Sequence, residues 1–248
     1  YLTDLEKAAK TNGPDWAARI RETGAKVFKD TPFPHTKMEE WRQTNIGPIV
    51  DTPYRSLTAP RAHGLKAANL AGVLYGEANW TELVFVDGFH AADLSKEGAA
   101  GVEAGSLAAA IAAGDPRVQA NLRGGAELGS AYTALNDAFL QDGAFVCIPK
   151  NTQAGVVHIL CLTSDREAET AAHPRHLVVV ESGAEAVVMV TYASLAGDMV
   201  YLNNAVTEVS VGANARCDYY KVVEEGSAGH HLDTLFVRQD RDSRFNAR

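Results

Sequence analysis

The residues of this sequence best suited to metal chemistry are its eight histidines and three cysteines. His158 and Cys161 are three positions apart in an apolar run typical of a strand, so their side chains point to opposite faces and cannot ligate one ion without a bulge. His230 and His231 are adjacent and diverge in the same way. This spacing predicts packing roles for the four side chains rather than a chelating site.

His173 and His176 form a second pair, in a proline-containing turn that leads into a strand. No carboxylate or thiolate beside them completes a metal site. The three cysteines are widely spaced and odd in number, so we expect free thiols that pack as small apolar residues in a reducing, cytoplasmic compartment. They are Cys147, Cys161 and Cys217.

Other catalytic signatures are missing from the sequence. Glu39 and Glu40 lie at the start of a short predicted helix, where the helix dipole stabilises negative charge, and this explains the pair without an acid–base role. The Arg123-Gly124-Gly125 stretch lacks the frame of a phosphate-binding loop, and no serine lies in a G-x-S-x-G nucleophile elbow. We therefore predict no catalytic, cofactor-binding or metal-binding residues, and no enzyme activity.

The net charge of the 248-residue chain is −8, and residues 77–142 hold 10 acidic but only 3 basic side chains. Such a balance repels nucleic-acid phosphates and anionic lipids, so we expect neither kind of partner. No apolar stretch approaches the roughly 20 residues of a membrane-spanning helix, and the beginning of the chain lacks the pattern of a secretion signal. We expect a cytoplasmic protein that binds other proteins or small molecules.

Residues 1–78 are predicted to form a helical N-terminal domain. Apolar residues at helical spacing predict a helix over 14–29, with Pro14 as its first residue. Five prolines between residues 32 and 60 restrict the following chain to short elements, such as a helix over 38–43.

Residues 79–248 are predicted to be mainly β structure. An apolar run that ends at Asp87-Gly88 indicates a buried strand, and short helices are expected around 106–122, with Ser106 as N-cap, and around 131–140. Short β-branched runs then follow without helices between them, starting near residues 145, 156, 176, 186, 200, 217 and 231.

Glycine–alanine pairs recur at the corners between these runs. Gly183-Ala184 and Gly212-Ala213 follow similar strands, and a third pair precedes Phe145. We expect each glycine to supply a positive φ, and each alanine to leave room for stacking beneath the next corner. Self-similar strand–turn units suggest a β-solenoid, but a jelly roll also has many short strands with turn signals, so periodicity leaves both folds open.

Several ordered motifs resemble one family. They cover nearly the whole chain from residue 32, and they are Pro34 to Asn45 (PHTKMEEWRQTN), Leu83 to Phe89, Gly101 to Leu107, Leu135 to Ala144, His173 to Ala184, Asn204 to Val209 and Tyr219 to Phe245. These segments resemble the SufB/SufD family of the SUF iron-sulfur cluster assembly system. The HPR-LVVVE-GA segment and the QDGA turn are more similar to the SufD branch than to the SufB branch.

The resemblance implies a right-handed parallel β-helix behind a helical N-terminal domain. It also implies a non-catalytic scaffold subunit, linked to iron supply and cluster assembly, that pairs with SufB and with the ATPase SufC in a cytosolic or plastid complex. The cluster is built on that complex, and no cofactor is expected on this chain alone. Family members have further β-helix turns and a C-terminal helical domain, so we expect the chain to be truncated after Arg248 and the partner contacts to lie mainly beyond it.

A different class of function remains open. In a cupin-like metalloenzyme, or in a β-helix enzyme that acts on carbohydrate, His158, His173, His176 or His231 would bind metal or substrate. That alternative requires converging ligands in a cleft, whereas a scaffold predicts histidines that are buried or scattered over separate turns. For a scaffold, an open last turn also favours a homodimer.

Two aromatic residues are assigned a structural role. We expect Trp41 and Tyr54 to pack the N-terminal domain against the first turns of the β structure rather than to form a binding cage.

Overall fold

The computed structural model of the protein describes residues 4–5, 13–96, 101–124, 130–165 and 167–248. Its strands are β1 (Arg55–Ser56), β2 (Thr81–Val86), β3 (Phe89–His90), β4 (Glu103–Ser106), β5 (Ala144–Ile148), β6 (Gln153–Thr163), β7 (Thr170–Ala172), β8 (Arg175–Val180), β9 (Glu185–Ser194), β10 (Tyr201–Val211), β11 (Arg216–Glu224), β12 (Gly229–Gln239) and β13 (Arg244–Ala247). Its α-helices are α1 (Asp15–Asp30), α2 (Gly47–Asp51), α3 (Leu107–Ala112), α4 (Pro116–Asn121) and α5 (Ala131–Ala138), and short 3₁₀ helices span Glu39–Trp41 and Ala67–Leu70.

The strands form two sheets. Sheet A has the order β1-β7-β10-β8-β5-β4, with β12 also paired to β10, and sheet B has the order β13-β11-β9-β6-β2-β3. From β5 to β13 all pairs are parallel, and only β4 and β3 join their sheets antiparallel. The chain therefore winds from sheet A to sheet B and back in about three turns. This is a β-solenoid, and it excludes the jelly roll, whose strands are antiparallel.

One turn of the solenoid has an interrupted strand. Strand β10 pairs with β7 through residues 201–203 and with β8 through residues 206–211, so β7 and β8 occupy one line of the sheet. His173 and Pro174 lie in the gap, because proline has no N–H to donate to a neighbouring strand.

A left-handed residue occurs at the same place in every corner from sheet A to sheet B. It is the third residue after the strand, with φ of 57° at Asn151, 71° at Gly183, 59° at Asn214 and 57° at Asp242. The positive φ expected at Gly183 is confirmed, whereas the one expected at Gly212 is wrong. Gly212 is required for close packing instead, since a Cβ there would lie 2.7 Å from the backbone nitrogen of Ser182.

The main core fills the lumen, which is the space between sheets A and B. Valine, isoleucine and alanine side chains alternate into it from both sheets, as the period of two requires. Helices α3, α4 and α5 cover the outer face of sheet A, and α1 packs on α5.

Most predicted helices are present with small shifts of their ends, but the one expected over 38–43 is reduced to the three-residue 3₁₀ helix Glu39–Trp41. Helix α1 begins at Asp15, so Pro14 is its N-cap rather than its first residue. The Ser106 hydroxyl accepts the Ala109 N–H at 3.0 Å and caps α3, as predicted. None of the helices in the described part of the chain is long and apolar enough to cross a bilayer.

Tyr54 is almost fully buried, but it does not pack on the first turns as expected. It contacts Ala171 and Leu202, and its hydroxyl lies 2.7 Å from Nδ1 of His230 on β12. The segment around β1, which pairs with β7, thereby reaches the later turns. Trp41 is partly buried in the same cluster, with its ring 6.3 Å from that of Tyr132 in α5.

Candidate functional site

A buried ionic network lies between α5 and sheet A. Arg175 is fully buried, and its Nη1 donates to Asp137 Oδ1 at 2.7 Å and to Asn136 Oδ1 at 3.0 Å. Its Nη2 and Nε donate to Glu208 Oε1 at 2.5 and 3.2 Å. Burial opposes the charge of Arg175, but the two carboxylates outweigh this effect and keep its pKa above the usual value.

Amide side chains extend this network to the backbone. Asn136 Nδ2 donates to the carbonyls of Pro174 and Asn204, at 3.0 and 2.8 Å, and Asn204 Nδ2 donates to the carbonyl of Tyr132 at 2.9 Å. We call Asn136, Asp137, Arg175, Asn204 and Glu208 the joint network, because they fasten helix α5 to the strands of sheet A.

The two histidines that flank Arg175 point in opposite directions. His173 lies on the outer side, stacked on Phe139 at 4.7 Å, with Nε2 3.0 Å from the Ser56 hydroxyl. His176 points into the lumen, where Nδ1 accepts the Ala144 N–H at 3.0 Å. The His176 proton is therefore on Nε2, which faces Cys161 Sγ at 3.4 Å. Burial, aided by the neighbouring Arg175 charge, lowers the pKa of His176 to about 3.

A second set of hydrogen-bonded polar side chains lies in the lumen, on the side of β12. Glu225 accepts the Tyr201 hydroxyl at 2.6 Å and Asn203 Nδ2 at 2.7 Å, and its Oε1 lies 3.1 Å from His231 Nδ1. Because Glu225 is an acceptor there, neutral His231 holds its proton on Nδ1 and has a lone pair on Nε2.

Five buried polar atoms in this part of the lumen form no hydrogen bond of normal geometry among the described residues. They are the hydroxyls of Tyr192, Thr207 and Tyr219, Nε2 of His231 and Oδ1 of Asp233. We call these five residues the lumen cluster. The rings of Tyr192 and His231 are 4.4 Å apart, and Asp233 follows two residues later on the same face of β12.

The side chains of the cluster also influence one another. Burial raises the pKa of Tyr192 and of Tyr219, the charge of Asp233 raises both further, and an interaction with the Thr207 side chain lowers both. The other oxygen of Asp233 accepts Lys221 Nζ at 2.8 Å. All five unpaired atoms can accept a hydrogen bond, so the cluster is suited to water or another small donor.

The cysteines are buried free thiols, as predicted. Burial raises the pKa of Cys147 to about 11 and of Cys217 to about 12, and it raises that of Cys161 well above the usual range. These thiols are protonated near neutral pH, so none of the three is an activated nucleophile.

The histidines proposed for the alternative enzyme lie in separate environments. His158 is outside the lumen, where its Nε2 is 2.9 Å from the Thr191 hydroxyl, and burial lowers its pKa to about 4. His173 is outside sheet A, while His176 and His231 lie on β8 and β12, with β10 between them. The opposite directions predicted for His158 and Cys161, and for His230 and His231, are confirmed.

No group of three or more histidine, cysteine or carboxylate side chains suited to a metal ion occurs among the residues that the structure describes. The polar residues that do converge were missed by sequence reasoning, which considered histidines and cysteines one pair at a time. A signal was available in β12, where alternate positions hold His231 and Asp233 on the face that otherwise carries apolar residues.

Two family models match the chain. The model described as the SufBD protein N-terminal region matches residues 3–156, and the model described as SUF system FeS cluster assembly, SufBD core domain, matches residues 161–248.

Full-length proteins are similar as well. An iron-sulfur cluster assembly SufBD family protein from Synechocystis is 26% identical over 263 residues, an alignment that covers 98% of this chain and 56% of that protein. The chloroplastic protein ABCI7 from Arabidopsis thaliana is 24% identical over 239 residues, covering 92% of this chain and 48% of that protein. The chain thus spans about half the length of these relatives.

Proposed function

The chain belongs to the SufBD family of the SUF system for iron-sulfur cluster assembly, and we propose that it acts there as a non-catalytic scaffold subunit of the SufD type. The observation that carries this proposal is the match of both family models, which reach from residue 3 to residue 248 and include the helical layer as well as the solenoid. The Synechocystis relative is itself described as an iron-sulfur cluster assembly protein.

The motifs that resemble the SufD branch have structural roles here. Arg175, from the segment beginning at His173, is the centre of the joint network. Gly143, from the QDGA turn, lies so close to Arg175 that a Cβ would be 1.9 Å from its carbonyl oxygen. Asp142 of the same turn accepts the Ser106 hydroxyl at 2.7 Å. These motif residues therefore stabilise the packing of the helical layer on the solenoid.

The proposed partners are a SufB-type subunit and the SufC-type ATPase, in a cytosolic complex. We assign their main contacts to the part of the relatives that this chain does not span. Within the described residues, β12 and β13 each pair on one side only, which also suits a homodimer through that edge. The cluster is the cargo of the whole complex, and this chain holds no resident cofactor in the proposal.

Co-purification tests this function. A tagged form of this chain, and a tagged full-length relative such as the Synechocystis protein, would each be co-expressed with untagged SufB-type and SufC-type subunits. We expect the longer protein to retain both subunits through gel filtration, and the tag alone to retain neither.

Each result has a clear meaning. Capture by the longer protein alone supports the scaffold and assigns the interfaces to the part of that protein that this chain does not span. Capture by this chain as well supports the scaffold but contradicts that assignment. If neither protein retains either subunit, the scaffold proposal fails.

A further inference from the structure

A pocket of about 400 Å³ lies on the outer face of sheet A, between the end of α4 and strands β10 and β12. It is separate from the lumen and from the cysteines. The residues that line it come from the segment after α4 and from three strands of sheet A, and they are Asn121, Arg123, Gly124, Leu177, Glu208, Val209, Ser210, Phe236, Val237 and Arg238.

The base of the pocket is apolar and includes a flat ring. Leu177 on β8 is fully buried, and Phe236 on β12 is partly exposed. An apolar ligand that covered the Phe236 ring would remove this surface from water, which favours binding in proportion to the area covered.

The rim of the pocket presents two guanidinium groups. Arg238 Nη2 donates to Asn121 Oδ1 at 2.7 Å and to Ser210 Oγ at 3.0 Å, so neutral acceptors hold it in place. The Arg123 N–H donates to Glu208 at 3.0 Å and positions the other arginine. Neither guanidinium forms an ion pair with a carboxylate in the described parts of the chain.

The carboxylate of the pocket does not cancel these charges. Glu208 is already bound by Arg175, which it shares with Asp137. The three arginines and two carboxylates together leave one net positive charge, in a chain whose net charge is −8. The pocket is therefore a local positive site on an acidic protein.

We propose that this pocket binds a small organic anion that has a flat apolar body and one carboxylate, sulfonate or phosphate group. The flat body covers the Phe236 ring, and the anionic group takes N–H donors of Arg123 and Arg238. A planar guanidinium suits this role because it presents parallel donors to an anion. The volume falls in the usual range for small-molecule sites. This site goes beyond the scaffold function and does not depend on it.

A fluorescence titration with 8-anilinonaphthalene-1-sulfonate tests the proposal, since this probe joins an aromatic body to one sulfonate. We expect saturable binding that weakens about tenfold or more in Arg238→Gln and in Arg123→Gln, because each loses charged donors to the anion. Both side chains are exposed, so the variants should keep the far-UV circular dichroism and the Tm of the parent.

Two controls separate the pocket from general apolar surface. Arg216→Gln removes an exposed arginine of sheet B that pairs loosely with Glu185 at 3.9 Å, and it should leave the titration unchanged. The neutral analogue N-phenyl-1-naphthylamine should bind the parent at least about tenfold more weakly than the sulfonate. Equal sulfonate binding by the parent and both pocket variants, equal binding of the two probes, or no saturable binding would overturn the proposal.

Discussion

The joint network and the lumen cluster are both buried polar regions, but they differ in how completely their groups are paired. In the joint network each of the five side chains has a hydrogen-bond partner within the described structure. In the lumen cluster each of the five side chains has at least one buried polar atom that forms no hydrogen bond of normal geometry there. The joint network follows the general rule that buried polar groups form hydrogen bonds, and the lumen cluster departs from it.

The two regions therefore differ in what their buried polar groups do. A fully paired network specifies one arrangement of helix α5 on sheet A, because any other leaves charge unpaired in the interior. An unpaired buried polar atom costs about 1–3 kcal/mol unless another group reaches it. We therefore expect ordered water in the lumen cluster, and rigid, dry contacts in the joint network.

Removing the central cation of the joint network should have the largest effect. Arg175→Leu leaves Asp137 and Glu208 buried without their partner, and we expect the free energy of unfolding to fall by about 3–5 kcal/mol. Urea unfolding followed by circular dichroism measures this, with the exposed Arg216→Leu as the matched control. A loss near that of the control would show that the network does not hold the layers together.

Crowding the joint network should have the second largest effect. In Gly143→Ala the new Cβ would lie 1.9 Å from the Arg175 carbonyl oxygen, at a φ of 149°. The backbone must move, and we expect a loss of about 2–3 kcal/mol. Gly72→Ala, where a Cβ has nothing within 4 Å, is the control for the same substitution. Equal stabilities of the two variants would contradict the close packing.

Acid should destabilise the lumen through His176. Its folded pKa, about 3, is below the unfolded value of about 6.5. Between those pH values the unfolded state binds a proton that the folded state does not, so stability is complete above pH ~6.5 and falls with decreasing pH, by up to about 1.4 kcal/mol per unit. Urea unfolding at pH 7 and pH 5 should show a smaller pH dependence in His176→Asn. An unchanged dependence would show that His176 does not contribute to it.

The smallest effect is expected for hydroxyl deletions in the lumen cluster. Tyr192→Phe and Tyr219→Phe remove hydroxyls that form no hydrogen bond of normal geometry among the described residues and that we expect to contact ordered water. The free energy of unfolding should therefore change by no more than about 0.5 kcal/mol. Tyr201→Phe is the matched control, since its hydroxyl donates to Glu225 at 2.6 Å and its loss should cost about 1.5–3 kcal/mol. Equal losses in all three variants would show that the hydroxyls of the lumen cluster are as well paired as that of Tyr201.

Much of the fold could be predicted from the sequence because it depends on neighbouring residues. The period of two sends His158 and Cys161 to opposite faces, and the Ser106 cap follows from a side chain that reaches three residues along the chain. Short strands such as β1 and β7 were missed, because two or three residues give no detectable period.

Most contacts of the candidate site could not be predicted from the sequence, for a physical reason. Arg175 meets Asp137 and Glu208, which are 38 and 33 positions away, only because solenoid turns stack and α5 lies across them. The need for glycine at Gly212 likewise comes from Ser182 in the turn below it.

The sequence by itself determined the longer strands, the approximate positions of most helices and the opposite directions of His158 and Cys161 and of His230 and His231, since these depend on local backbone geometry. Only the tertiary structure decided between solenoid and jelly roll, paired the joint network and left the lumen cluster unpaired. Those outcomes depend on which residues of separate turns come to lie one above another.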